Sequence, residues 1–210
     1  MITDYLTLKE NGQHEIEIKK SRFICHLFRI DSDEQAKELI QKIKKEHWKA
    51  THNCHAYLVG DNNDIQRSSD DGEPSGTAGL PMLEVLKKRE LINTLAVVTR
   101  YFGGTELGKG GLIRAYGGSV SEALDEIGIV QGTLQQEMQV TVDYPNHPKL
   151  ENFLENSVYN LKETIYTDKV QLLIMVDEQT TDTFEQELIE LLSGQVTITA
   201  GKTSYFEKEI

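Results

Sequence analysis

With 210 residues, 38% of them hydrophobic and 27% charged, the chain has the make-up of an ordinary soluble globular protein with one large domain or two small ones. No apolar run approaches the roughly 18 residues a membrane-spanning helix needs, and Met1-Ile-Thr-Asp lacks the basic start and apolar centre of a secretory signal. The only cysteines, Cys25 and Cys54, have no CxxC spacing, so reduced thiols in a cytoplasmic protein are expected, with no disulfide framework, zinc ribbon or membrane partner.

The net charge of −12 is unevenly placed: residues 1–134 hold 17 Lys and Arg against 20 Asp and Glu, whereas 135–210 hold 5 against 14. A uniformly acidic chain would repel nucleic acid, but concentration of the charge in the tail lifts that objection from the first part. Only Gly194 and Gly201 fall after residue 134. The chain therefore reads as two domains, 1–131 and 135–210, with a relaxed boundary at Gly128 to Leu134.

In chain order, Glu15-Ile-Glu-Ile-Lys-Lys20 and Ser21 to Ile30 alternate with a period near two and predict a strand meander. Ser32 followed by Gln35 predicts a capping box, and Ala36, Leu39, Ile40 and Ile43 make the apolar face of the helix it starts. A strand from about Asn53 to Gly60 turns at Asp61-Asn-Asn-Asp64 into Ile65-Gln-Arg-Ser. The polar loop Asp70 to Gly79 leads into a helix starting near Pro81, with Met82, Val85 and Leu86 as its buried stripe. The apolar run Leu91 to Phe102 predicts a central strand, and Leu112, Tyr116, Val120, Ala123, Leu124 and Ile127 the core face of the helix that follows. After the boundary the order is strand (135–144), helix (145–156), two strands (158–167 and 169–177), helix (180–193) and strand (196–206), a βαββαβ ferredoxin-like unit.

The glycine-rich turn between Arg100 and the next helix holds five glycines from Gly103 to Gly111, each costing roughly 0.5 to 1 kcal/mol relative to alanine unless its bare backbone is needed. Backbone N–H groups at a helix start attract anions. Arg100, Gly103, Gly104, Lys109, Gly110, Gly111 and Arg114 are thus the candidate anion or nucleic-acid contacts, set against a packed strand-to-helix corner as the plainer alternative. The spacing matches neither GxxxxGK[ST] nor GxGxxG.

Three further groups admit two readings each. His52 and Cys54 share one strand face and His55 lies on the other, so one shared metal ion is disfavoured; His55 and Tyr57 are expected to reach the glycine-rich surface, His55 as an acid/base candidate. Asp71, Glu73 and Ser75, with Asp70 and Thr77, suit acid/base, nucleophile or cation roles, or else cap turns and pair with Arg100 as scaffold. Lys19, Lys20, Arg22, Arg29 and the lysines of the first helix form either a phosphate-neutralising stripe or ordinary solubility charge. Tyr101, Phe102 and Tyr116 are candidate stacking platforms, with Phe102 and Tyr116 read as core. No cofactor or metal is indicated.

His52-Asn-Cys-His-Ala-Tyr57, Asp70-Asp-Gly-Glu-Pro-Ser-Gly-Thr-Ala-Gly79 and Arg100-Tyr-Phe-Gly-Gly-Thr-Glu-Leu-Gly-Lys-Gly-Gly-Leu-Ile-Arg-Ala-Tyr-Gly117 together resemble the signature blocks of the IMPACT family, in its bacterial YigZ-type branch. The resemblance covers roughly the first 130 residues. It implies for that part the fold of domain two of ribosomal protein S-five, which recurs in domain IV of the translocation GTPase and in GHMP kinases. It implies for the tail a likeness to domain V of the same GTPase. Eukaryotic members regulate translation by competing for the activator of a starvation-sensing kinase, and bacterial ones are described as regulators or nucleic-acid binders. The resemblance thus implies a translation-linked regulator contacting RNA or a ribosome-associated partner through the glycine-rich face. An enzyme acting on a small phosphorylated or peptide substrate through His55 and the 70–79 loop is the alternative.

Overall fold

The computed structural model describes residues 2–210. They divide into two compact units, one running up to Gly132 and joined by Glu207–Ile210, the other Thr133–Phe206. Glu207 joins the first unit through an ion pair with Arg29, and Glu209 through one with Lys9 at 2.6 Å.

The first unit contains β1 (Asp4–Leu8), β2 (Gly12–Ile18), β3 (Ser21–Arg29), α1 (Asp33–Glu46), β4 (His52–Val59), β5 (Ile65–Ser69), α2 (Gly79–Lys88), β6 (Thr94–Tyr101) and α3 (Gly108–Ile127). Its sheet is antiparallel in the order β2-β3-β6-β4-β5, which puts β6 in the middle. β6 is covered on both faces, and this explains why its sequence is a continuous apolar run rather than an alternation. Phe23, Cys25, Leu27, Cys54, Ala56, Leu58, Ala96 and Val98 face α2 and α3, meeting Met82, Leu86, Tyr116 and Val120. Tyr57, Val59, Leu95 and Val97 face α1 and meet Ile40 and Ile43.

α1 begins as its sequence predicts, with Ser32 Oγ accepting from the Gln35 amide at 3.3 Å. The returning half of the cap differs by one residue, since Gln35 Oε1 accepts from the Asp31 amide at 2.8 Å. Gly128, at φ 94°, ends α3, and the next strand starts at once. The relaxed boundary expected at 128–134 is therefore ordered strand.

The second unit is built from the greater part of β7 (Ile129–Val142), α4 (His147–Glu155), β8 (Asn160–Tyr166), β9 (Val170–Val176), α5 (Thr181–Leu191) and the greater part of β10 (Thr197–Glu209). Its strand order β10-β7-β9-β8 is that of the split βαββαβ arrangement. Alternate residues of β7 and β9, among them Val140, Leu172 and Ile174, pack on Leu150, Phe184 and Leu188 of the helices.

The α1 face of the first sheet carries a polar layer among its apolar residues. Thr99 Oγ1 donates to Asn53 Oδ1 at 2.7 Å, and the His26 ring lies 5.1 Å from that of His47, whose Nδ1 is 2.8 Å from the Tyr101 hydroxyl. Burial, then the neighbouring His47, pushes His26 down to about 4. Burial, then Lys44, pushes His55 down to about 4 against the opposing pull of Asp71. A histidine kept neutral in the fold but protonated in the unfolded chain removes stability as pH falls from its ordinary value near 6.5 toward the folded value, on the order of 3 kcal/mol each by pH 4. Urea unfolding at about pH 7.5 and about pH 4.5 is expected to show a lower midpoint in acid, with a smaller drop in His55→Gln. An equal drop in that variant would contradict this assignment.

Candidate functional site

The β-ladders place Arg100 opposite Phe23 of β3 and opposite His52 of β4, so the three share the α2/α3 face of the sheet. The Arg100 side chain is 6% exposed and its Nη1 donates to Glu73 Oε1 at 2.6 Å. Its guanidinium lies against two rings, 5.4 Å from the centre of Phe23 and 5.5 Å from that of Phe102. Glu73, 3% exposed, accepts a second hydrogen bond from the Tyr116 hydroxyl at 2.6 Å. Burial, then the adjacent Cys54 and Glu73, raises the pKa of that hydroxyl far above its ordinary value, so Tyr116 stays a donor.

The rest of the 70–79 loop is scaffold. Asp70 accepts from the amides of Gly76, Ala78 and Gly79 at 2.9, 3.1 and 2.9 Å. Burial works against the ionised form, yet these amides hold its carboxyl below the usual range. Gly79 is required there, because a Cβ would lie 2.6 Å from the Ser69 amide nitrogen. Asp71 pairs with Lys44 at 2.6 Å and accepts from the Asn53 amide at 2.7 Å. Cys54 donates to the Asp70 carbonyl at 3.0 Å, and burial pushes its thiol up to about 12. Ser75 is exposed, and the Thr77 hydroxyl donates to the Pro74 carbonyl at 2.6 Å. Among the described residues no cluster of three or more His, Cys, Asp or Glu side chains is placed to hold a metal ion.

His55 sits with Tyr57 on the α1 face, its ring 6.2 Å from that of Tyr57 and nearly parallel to it. It is therefore on the opposite side of the sheet from Arg100 and Glu73, and the grouping of His55 and Tyr57 with the glycine-rich surface is overturned. Asp71, tied to Lys44, and Ser75, out in solvent, join no acid/base arrangement with it.

The glycine-rich turn has two parts. At Gly103 the chain packs against the backbone of Lys20 and Ser21, where a Cβ would come within 2.5 Å of the Ser21 nitrogen. Gly104 and Gly108 adopt φ of 84° and 71°, and α3 then starts with no side-chain cap, its first turn formed by Gly108, Lys109, Gly110 and Gly111. Beside this helix start lies a cleft of about 360 Å³ lined by Thr51, His52, Glu73, Pro74, Arg100, Phe102, Glu106, Leu107, Gly108, Lys109 and Leu112. Arg100, Glu73 and Lys109 thus come together, with Gly103, Gly104, Gly110 and Gly111 next to the lining residues in sequence. Arg114 is exposed and does not line the cleft.

Two lining residues carry more than their sequence suggested. Phe102, read as core at the end of an apolar run, is 49% exposed because β6 ends one residue earlier. His52 was weighed only as a metal ligand; its Nδ1 is 2.8 Å from the Asp71 carbonyl and its Nε2 lies 3.6 Å from Glu73 Oε2. The sequence signal for His52 was its parity with Cys54; its register with Arg100 came only from the strand pairing. Much of the expected basic stripe is neutralised: Arg22 pairs with Glu15 at 2.7 Å, Arg29 with Glu207, Lys37 with Asp33 and Lys44 with Asp71.

Residues 19–124 match the Impact N-terminal domain and residues 140–195 a domain of unknown function, DUF1949. Along all 210 residues the chain is 54% identical to IMPACT family member YvyE of Bacillus subtilis (strain 168), covering 97% of it. The chain belongs to the IMPACT family. IMPACT family member YigZ of Escherichia coli (strain K12) is 36% identical over 88% of this chain and 91% of its own. A solved structure described as a hypothetical protein overlays this IMPACT family protein with a TM-score of 0.60 and 33% identity, over 96% of this chain and 99% of the other.

Removing one member of a buried pair strands the other charge, which costs about 3–5 kcal/mol, while replacing both by apolar groups costs far less. Arg100→Ala is accordingly expected to lower the unfolding free energy by about that amount in urea titrations, and Arg100→Met with Glu73→Leu to recover much of it. A near-neutral Arg100→Ala would contradict the burial of the pair.

Proposed function

We propose that this IMPACT family protein is a translation-linked regulator that binds RNA, seating a backbone phosphate at the start of α3 with a base against Phe102. The observation that carries the reading is the uncapped first turn of α3, whose Gly108 and Lys109 line a cleft that also holds the exposed Phe102. Lys109 adds positive charge at that point, and Arg100 contributes a guanidinium whose Nε has no hydrogen-bond partner among the described residues. Phe102 gives an exposed ring on which any base can stack. The cleft also holds Glu106 and Glu73, so attraction for an anion rests on the amides and Lys109 rather than on a broad basic field. The link to translation is supported by the family to which the chain belongs.

Filter binding of a short single-stranded RNA at low and moderate salt tests the reading. Phe102→Ala is expected to weaken binding by about 1–3 kcal/mol, and Lys109→Ala to weaken it across sequences while reducing the salt slope by about one. No affinity for any RNA at low salt would overturn the proposal. Capture of a ribosome-associated protein that depends on residues 135–210 would favour a protein partner instead.

A further inference from the structure

Glu73 and His52 leave an unfinished hydrogen-bond arrangement on the floor of the cleft. Glu73 Oε1 accepts from both Arg100 Nη1 and the Tyr116 hydroxyl. Oε2 belongs to a side chain only 3% exposed and accepts no hydrogen bond among the described residues. Glu73 lines the cleft, so this oxygen is an acceptor open to a donor that enters there.

His52 points to the same gap. Its Nδ1 is 2.8 Å from the Asp71 carbonyl, which can only accept, so Nδ1 carries the proton. In the neutral ring Nε2 is then a lone pair, facing Glu73 Oε2 across 3.6 Å. That distance is too long for a direct hydrogen bond, and while the ring is neutral the two facing acceptors have no hydrogen to share. One small donor beside them satisfies the site, and both residues line the cleft that takes the phosphate in the reading above.

We infer that this pair of acceptors receives a ribose 2′-hydroxyl, so that His52 and Glu73 make the cleft select RNA over DNA. The inference rests on the proposed RNA reading and adds to it the sugar that the cleft requires. The 2′-hydroxyl fits because it is a hydrogen-bond donor present on every RNA residue and absent from every DNA residue, whatever the base. Thr51, whose Oγ1 accepts from the Phe102 amide at 3.1 Å, ties the stacking ring to the strand that presents His52. Base and sugar recognition are therefore held at one end of the paired strands β4 and β6.

Short oligouridylates separate this inference from the phosphate reading, because uracil has no exocyclic amine and the base is unchanged when only the sugar is varied. Affinities of the full-length protein are compared for the ribose, 2′-fluoro and 2′-deoxy forms at one salt concentration. The 2′-fluoro sugar keeps the RNA-like pucker but cannot donate, so it isolates the hydrogen bond from backbone shape. The ribose form is expected to bind about ten-fold or more tightly than both others, as a hydrogen bond to a charged acceptor predicts. His52→Ala, with folding confirmed by circular dichroism, is expected to bring the three within about two-fold of one another. Equal binding of ribose and 2′-fluoro forms by the unaltered protein overturns the inference and leaves the phosphate reading standing. Failure of all three to bind overturns both.

Discussion

The Arg100–Glu73 ion pair is the interaction on which the site depends. Arg100 comes from the central strand and Glu73 from the loop before α2, and Tyr116 of α3 donates to the same carboxylate oxygen. Two charges taken out of water require close geometry and further hydrogen bonds to offset the lost hydration. The pair has the geometry, at 2.6 Å, and the Tyr116 hydroxyl supplies one of the extra bonds. Strand, loop and helix are thereby fixed relative to one another, and the side of the pair left incomplete, Glu73 Oε2 with His52, opens into the cleft.

The loop around Glu73 is held by its own carboxylates. Asp70 gathers three amides near the start of α2 and Asp71 joins β4 to α1 through Lys44. The glycine-rich turn serves two purposes at different residues. Gly103 lets two backbones touch, whereas the stretch from Gly108 forms a helix start with no side-chain cap. The packed corner and the uncapped helix start occupy successive parts of the same turn, so the close packing at Gly103 leaves room for the proposed anion contact further on.

Much of this was legible in the residues. The apolar run of β6 identified the central strand, Ser32 and Gln35 the start of α1, and the element order after residue 134 the second sheet. Alternation along β4 correctly separated His52 and Cys54 from His55. It could not say which face met the glycine-rich turn, since that depends on the register with Arg100, a pairing between strands some fifty residues apart. The neutralised charges were hidden for a similar reason: Arg29 meets Glu207 across 178 residues of sequence. Phe102 was misread because an apolar run gives no sign of where its strand stops.

Backbone amide shifts during titration with a short oligouridylate test the central claim most directly. The account predicts saturable shifts at Gly108, Lys109 and Gly110, together with changes at His52 and Phe102, and little movement along the Lys37–Lys45 face of α1. Shifts confined to that lysine face or to residues 133–206, with 108–110 unmoved, would contradict it.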